Sequence, residues 1–143
     1  MAGILQDFPI QAPPGRIFAA LATPEGLNHW WTLTCSGHPA EGEVYELGFG
    51  PEYAWRAVVS RCEPDRAFQL ELAHAMPDWL GTRVGWELEP QGELTWVRFH
   101  HTGWAEVTEH YRITAHCWAL YLRLLRRYCE HGETVPYAAR LSA

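Results

Sequence analysis

The sequence predicts an α+β fold in which an antiparallel sheet packs against one long C-terminal helix. Between residues 42 and 101 the apolar residues recur with a period of two, and clusters of glycine, proline and aspartate divide this region into runs of strand length. From about Thr108 to His131 the apolar residues recur with helical spacing instead. A helix with one wide apolar face must bury that face, and the sheet is its predicted partner.

One strand and two short helices are predicted before the sheet region. Residues 4–12 alternate in polarity, which predicts a first strand. The Pro-Pro pair at 13–14 opens a helix, since proline is well tolerated in a first turn. Thr23 predicts a second helix, from Pro24 to about Trp31, because its hydroxyl can accept a hydrogen bond from an amide at the helix start.

Five strands are predicted between residues 42 and 101. Glu-Pro-Asp at 63–65 and Pro-Gln-Gly at 90–92 have the composition of turns between them. Alternate residues of these strands should share one face of the sheet. The residues chosen for that face by their alternation are Tyr45, Leu47, Phe49, Trp55, Ala57, Val59, Phe68, Leu70, Leu72, Val84, Trp86, Leu88, Thr95, Val97, Phe99 and His101.

The long helix should end at Gly132, because glycine readily takes the left-handed conformation that terminates helices. The C-terminal tail that follows Gly132 has weak periodicity and is predicted to be packed or frayed. The apolar face of the helix is predicted from Trp118, Tyr121, Leu122, Leu125, Tyr128 and Cys129.

The length of 143 residues fits one domain, spanning residues 1–143.

Charge and composition exclude several function classes. The net charge is -6 and the basic residues form no continuous stripe, so a nucleic-acid partner is not expected. All 11 basic residues are arginine, which excludes lysine Schiff-base chemistry and Walker-type phosphate loops. The N-terminus lacks the features of a signal peptide and no apolar run approaches membrane-spanning length, so we expect a cytoplasmic protein without stable membrane insertion.

The cysteines and histidines do not predict a metal site or a bound cofactor. The four cysteines form no CxxC pair and are expected to be reduced thiols packed as small apolar groups. His100 and His101 are adjacent on a strand and must point to opposite faces, which excludes joint ligation of one ion. We expect His101 to face inward, either as a core histidine with a hydrogen-bond partner or as a polar group at a cavity, and His100 to be solvated.

Two arginines share strands with large apolar residues and have two possible interpretations. Arg56 and Arg98 can each be an exterior charge or an anchor for the carboxylate or phenolate of a ligand. Alternation along the strands favours the exterior position but leaves both possibilities open.

Three phrases of the sequence, in this order, resemble a known superfamily. They are QAPPGRIFAALATPEGLNHWW, GTRVGWELEPQGELTWVRFHHTGW and HCWALYLRLLRRYCEHG. They resemble the SRPBCC or START-like superfamily, and within it the small bacterial homologues of the heat-shock-protein-90 ATPase activator. The resemblance implies a helix-grip fold, in which a curved antiparallel sheet wraps around the long C-terminal helix and encloses a cavity.

An aromatic-rich cavity predicts binding of an apolar or aromatic small molecule, such as a lipid, a phenolic or a polyketide-like compound. One alternative is a cofactor-independent enzyme, such as a cyclase or a hydrolase-like relative, in which His101 with Glu or Tyr groups acts as acid and base at the cavity mouth. Another is a protein-interaction module for a chaperone or stress-response partner, and the chain is expected to be a monomer or weak homodimer. The candidate cavity residues, some of which can instead be ordinary core, are Trp30, Trp31, Tyr45, Phe49, Trp55, Trp86, Phe99, His101, Trp118 and Leu122.

The adjacent tryptophans of the second helix should have different surroundings. Neighbouring residues on a helix point about 100° apart, so the two side chains cannot fill the same hole in the core. We therefore expect Trp31 to pack inward against the sheet and cavity wall, and Trp30 to lie at the cavity rim.

Overall fold

The computed structural model describes residues 2–51 and 53–143, and within them the predicted order of elements is present with one additional strand. All strand pairings are antiparallel. Two short 3-10 helices, Pro77–Trp79 and Tyr137–Ser142, complete the described structure. The main elements in chain order are β1 (Ala2–Ile10), α1 (Pro14–Ala22), α2 (Pro24–Leu27), β2 (Thr34–Ser36), β3 (Val44–Gly48), β4 (Ala54–Glu63), β5 (Ala67–His74), β6 (Arg83–Gln91), β7 (Leu94–Trp104) and α3 (Glu109–His131).

The seven strands form one curved sheet in the order β1-β7-β6-β5-β4-β3-β2. The strands β3 to β7 are the five that the sequence predicts between residues 42 and 101. The short edge strand β2 was not predicted, since three residues are too few to show a period of two. It exists because Thr34–Ser36 pairs with β3, with Cys35 opposite Leu47. The sheet packs against α3, which gives the α+β helix-grip fold.

The second helix is shorter than the sequence predicts. Thr23 caps it as expected, with its hydroxyl accepting a hydrogen bond of 3.0 Å from the amide of Gly26. The prediction that it continues to Trp31 is wrong, because the chain tightens into a turn after Leu27. The carbonyl of Leu27 there accepts the amides of Trp30, Trp31 and Thr32, at 3.3, 2.9 and 3.1 Å.

The long helix α3 has the predicted position and ends. The hydroxyl of Thr108 accepts a hydrogen bond of 3.0 Å from the amide of Tyr111, which satisfies a free donor of the first turn. Gly132 ends the helix with a φ of 68°, in the left-handed region that favours glycine. The buried residues of this helix are Thr114, Trp118, Leu122, Leu124, Leu125 and Cys129.

The C-terminal tail is packed onto the fold through a buried arginine. Arg140 is only 4% exposed, and its guanidinium donates hydrogen bonds to the carbonyl oxygens of Val135, Thr32 and Asn28, at 3.0, 3.1 and 2.7 Å. These carbonyls take the place of a carboxylate partner, and two of them belong to the turn that follows α2. Tail and turn are therefore held together. No helix among the described residues is long and apolar enough to cross a bilayer.

Candidate functional site

A cavity of about 140 Å³ lies between the first half of α3 and the aromatic residues of the opposing loops and sheet. Its volume is similar to that of an engineered cavity of about 150 Å³ that binds benzene. Most of its lining is aromatic or aliphatic, with a few polar groups among them. The lining residues are Trp31, Phe49, Trp55, Trp79, His110, Ile113, Thr114, Cys117, Trp118 and Tyr121.

The long helix α3 contributes lining residues that are three or four positions apart. Residues three or four apart lie on the same side of a helix, so successive turns of α3 present His110, Thr114, Cys117 and Tyr121 to the cavity. Trp118 is also on this side and is almost fully buried. One side of the helix thus provides both the polar and the apolar part of the wall.

The opposing wall is a connected cluster of aromatic rings. Trp31 packs against Trp118 with ring centroids 5.0 Å apart. Trp55 lies 5.0 Å from Phe49 and 4.7 Å from Trp79. Tilted and edge-on aromatic contacts of this kind add stabilisation beyond the area they bury. The cavity walls are therefore held by mutual packing of large rigid rings.

The structure brings four of the ten candidate residues to the cavity, namely Trp31, Phe49, Trp55 and Trp118. The other six do not line it. They lie in the core around it, where each is less than 3% exposed, and they are Trp30, Tyr45, Trp86, Phe99, His101 and Leu122.

Trp31 packs inward as predicted, but the rim position predicted for Trp30 is wrong. Trp30 is 0% exposed, and its Nε1 donates a hydrogen bond of 2.9 Å to the carbonyl of Ala20 in α1. The turn after Leu27 replaces the helical geometry from which the rim position was inferred. Trp30 joins the turn to α1, while Trp31 forms part of the cavity wall.

His101 is a core histidine with both ring nitrogens occupied. The indole Nε1 of Trp118 donates to its Nδ1 at 3.0 Å, and its Nε2 lies 2.9 Å from the hydroxyl oxygen of Thr82. Because the indole can only donate, Nδ1 must accept and Nε2 must carry the proton. Thr82 in turn donates to the carbonyl of Trp79 at 2.6 Å. Burial lowers the pKa of His101 to about 3, with smaller contributions from His100 and His110.

These contacts exclude the acid or base role considered for His101. The residue is 0% exposed and does not line the cavity. A general base must reach a proton of the substrate directly or through one water. His101 instead connects α3, through Trp118, with the segment that carries Trp79.

A second histidine, His110, lies at the cavity and was not selected from the sequence. Its Nδ1 is 2.8 Å from Oδ1 of Asp78, and the hydroxyl of Thr108 donates to Oδ2 of the same carboxylate at 2.8 Å. Burial opposes the ionisation of Asp78, but the hydrogen bonds from His110 and Thr108 prevail and lower its pKa. The carboxylate is thus fixed by two donors and itself holds the histidine ring.

Two buried indole nitrogens have no hydrogen-bond partner among the described residues. They are Nε1 of Trp79 and Nε1 of Trp86. Trp79 lines the cavity, whereas Trp86 lies behind it in the core. A buried donor without a partner costs roughly 1–3 kcal/mol, and native structures contain few of them. Trp79 therefore combines a ring that lines the cavity with a buried donor that has no partner among the described residues.

A larger depression, of about 550 Å³, lies at the edge of the sheet formed by β2, β3 and β4. Its lining includes the exposed side chains of Thr34, Ser36 and His74. It also includes Arg56, whose Nε is 3.4 Å from a carboxylate oxygen of Glu46. Small-molecule sites are lined mainly by apolar and aromatic side chains, so the smaller aromatic cavity is the better candidate.

The sequence profile of the family described as "Activator of Hsp90 ATPase homolog 1-like protein" matches residues 11–130. The chain belongs to this family. Comparison with curated proteins returned no match.

Solved structures share the fold of this family member over nearly its whole length. The Aha1 dimer from Colwellia psychrerythraea is 31% identical, with a TM-score of 0.84 over 93% of this chain and 99% of that one. A protein from Staphylococcus saprophyticus is 18% identical, with a TM-score of 0.78 over 94% and 96% of the two chains. CalU16 from Micromonospora echinospora is 21% identical, with a TM-score of 0.76 over 98% and 81%.

Arg56 and Arg98, for which the sequence leaves two interpretations, are exterior charges in this family member. Arg56 pairs with Glu46, and Arg98 donates to Asp7 and Glu89 at 2.8 and 2.9 Å. Neither lines the aromatic cavity. Of the two interpretations of these arginines, the structure therefore supports the exterior charge at both positions.

His100 is half-buried in this family member, so the prediction that it is solvated is wrong. Its Nε2 lies 2.7 Å from Oε1 of Gln69. A Cβ atom at Gly85 would be only 2.5 Å from Cε1 of His100, so the ring lies directly over this glycine. The missing side chain at Gly85 creates the space that shelters His100 on the outer face of the sheet.

Proposed function

We propose that this protein binds one small aromatic molecule in the cavity between α3 and the Pro77–Trp79 segment. The observation that carries this proposal is the wall of four tryptophans, Trp31, Trp55, Trp79 and Trp118. Rigid aromatic side chains lose little conformational entropy when a flat apolar ligand packs against them, and the ligand gains the burial of its own apolar surface.

The cavity volume restricts the size of the ligand. Sites for drug-sized ligands occupy roughly 300–1,000 Å³. A cavity of about 140 Å³ suits a molecule of one or two rings. We therefore favour a small aromatic compound over the lipids and polyketide-like compounds that the sequence also suggested. A larger ligand would extend beyond this aromatic lining and gain less burial for each of its atoms.

The direct test combines thermal unfolding with a variant that fills the cavity. We expect 4-fluorotoluene at about ten times its Kd to raise the melting temperature by about 3–5 °C. Palmitate should produce no such rise. Cys117→Phe should abolish the effect, because Cys117 lines the cavity. Ala119→Phe places the same ring on the exposed side of α3 and should retain it.

The proposal would be contradicted if small aromatic compounds of several shapes failed to raise the melting temperature of the wild-type protein. It would also be contradicted if Cys117→Phe and Ala119→Phe responded to the ligand equally, since binding would then lie elsewhere. Both variants should first give a cooperative unfolding transition, which shows that the comparison is made between folded proteins.

Contact with an Hsp90-type ATPase is a second candidate function. The family description supports it, as do two exposed apolar residues near the start of α3, Val107 at 61% and Ile113 at 53%. Exposed apolar side chains close together are typical of protein contacts. If this function operates, Val107→Ser combined with Ile113→Ser should weaken the binding of a purified Hsp90. No binding by the wild-type protein would remove this candidate.

We further propose a monomer or weak homodimer, formed by a single domain of residues 1–143, in the cytoplasm. The dimer reported for the related protein from Colwellia psychrerythraea supports the possibility of self-association. Sedimentation across a range of protein concentrations tests it. A dimer that persists at the lowest measurable concentration would exclude the weak association proposed here.

A further inference from the structure

We propose that the cavity selects phenols, and that the ligand hydroxyl donates its hydrogen to Nε2 of His110. This inference rests on the proposed binding of a small aromatic molecule and adds the polar group that orients it. His110 is one of the cavity-lining residues and belongs to the first turn of α3.

The histidine ring is held in place from several sides. Asp78 is 2.8 Å from Nδ1 and is itself fixed by the hydroxyl of Thr108. The ring stacks on Trp79, with centroids 5.9 Å apart and planes 20° from parallel, and lies edge-on to Trp104 at 6.0 Å. A fixed ring is what a site needs to orient a ligand, because little entropy remains to be lost on binding.

The carboxylate also determines which ring nitrogen can accept. An ionised carboxylate accepts hydrogen bonds and donates none, so Nδ1 of His110 must carry a proton. In the neutral ring Nε2 is then an acceptor. Nε2 has no hydrogen-bond partner within residues 2–51 and 53–143. A ligand hydroxyl is a suitable donor for it.

The rest of the lining favours a neutral hydroxyl over a charged group. No arginine lines the cavity in the described part of the chain, so a ligand carboxylate would have no cationic partner there. The negative charge of Asp78, next to His110, would repel it. Asp78 is already engaged by two donors, which leaves it a poor partner for an ammonium group.

The test compares two ligands of nearly the same shape, 4-fluorophenol and 4-fluorotoluene, by 19F NMR titration. We expect the wild-type protein to bind the phenol about tenfold more tightly, as for one net hydrogen bond. His110→Leu should lower the phenol affinity about tenfold and leave the 4-fluorotoluene affinity within about twofold. His116→Leu is the matched control on the same helix, because His116 is exposed and lies outside the cavity.

A second measurement on the wild-type protein avoids any dependence on how the variant folds. The 15N resonance of Nε2 of His110 should move when 4-fluorophenol is added and stay in place with 4-fluorotoluene. Equal affinity for the two ligands, or an unmoved Nε2 resonance with bound phenol, would overturn this inference while the proposed function stood. If neither ligand bound, both proposals would fail together.

Discussion

Trp118 and His101 are joined by a hydrogen bond of 3.0 Å between the indole Nε1 and the imidazole Nδ1. This bond connects α3 with β7 directly behind the cavity wall. Since the imidazole is completely buried, its neutral form is part of the folded state. The position of the Trp118 ring in the cavity wall therefore depends on His101 remaining uncharged.

Acid should destabilise the protein through His101. Its pKa is about 3 in the folded state, against 6.5 ordinarily, so between these values the unfolded chain binds a proton that the folded chain does not. The free energy of unfolding should thus fall by up to about 1.4 kcal/mol for each unit of pH lowered through this window.

His101→Gln provides the comparison, because glutamine keeps a neutral donor and acceptor and does not titrate. Urea unfolding of both proteins between pH 7 and pH 4 should show a steeper loss in the wild type. Parallel curves for the two proteins would contradict the lowered pKa assigned to His101.

Gly85 and His100 should be energetically coupled. A Cβ atom at position 85 would lie 2.5 and 2.6 Å from Cε1 and Nε2 of His100. Gly85→Ala should therefore destabilise the protein by about 1–3 kcal/mol. Combining it with His100→Ala should recover part of that loss, although the carbonyl of Phe68 remains 3.0 Å from the new Cβ. A double-mutant cycle by urea unfolding measures this coupling, and simple additivity would refute it.

Arg140 should contribute more to stability than an exposed arginine. Arg140→Met keeps the aliphatic volume but leaves three carbonyl oxygens, on Val135, Thr32 and Asn28, without their charged donor. We expect a loss of about 2–4 kcal/mol in chemical unfolding. The same substitution at Arg123, on the exposed side of α3, should change stability by less than about 0.5 kcal/mol. Equal effects at the two positions would show that the tail is not held by Arg140.

A bound aromatic ligand should shield Cys117 from alkylation. Cys117 lines the cavity and is half-buried, and burial raises the pKa of its thiol, which slows its reaction with iodoacetamide. At roughly ten times its Kd, the ligand should slow labelling by about tenfold. Cys62 lies outside the cavity and serves as an internal control in the same peptide mass spectra. Equal slowing of both thiols would place the effect outside the cavity.

The sequence was sufficient to predict the regular elements because each carries a local signal. The continuous helical spacing and the Thr108 and Gly132 ends predict α3 correctly. The residues Thr34–Ser36 carry no such signal, since β2 exists only through pairing with a strand further along the chain. The length of α2 was overestimated because neither the convergence of three amides on the Leu27 carbonyl nor the contact of Trp30 with Ala20 leaves a periodic signal in the sequence.

The candidate site was only partly predictable for a related reason. Strand alternation identifies the side chains that face inward, but it does not show beside which end of α3 the cavity lies. Trp86 and Phe99 therefore entered the candidate set although they fill the core. Asp78 and His110 were missed because they lie 32 residues apart and meet only in the folded structure. Helical spacing was an available signal for His110 alone, since His110 lies eight residues before Trp118 in α3.

Intermolecular NOEs can locate a small aromatic ligand in the cavity beside α3. With 4-fluorophenol bound, the aromatic protons of the ligand should show NOEs to the methyl group of Thr114 and to the ring of Trp118, both of which line the cavity. NOEs confined to residues outside the cavity, such as Thr34 and His74 at the edge of the sheet, would contradict the proposed binding in the cavity.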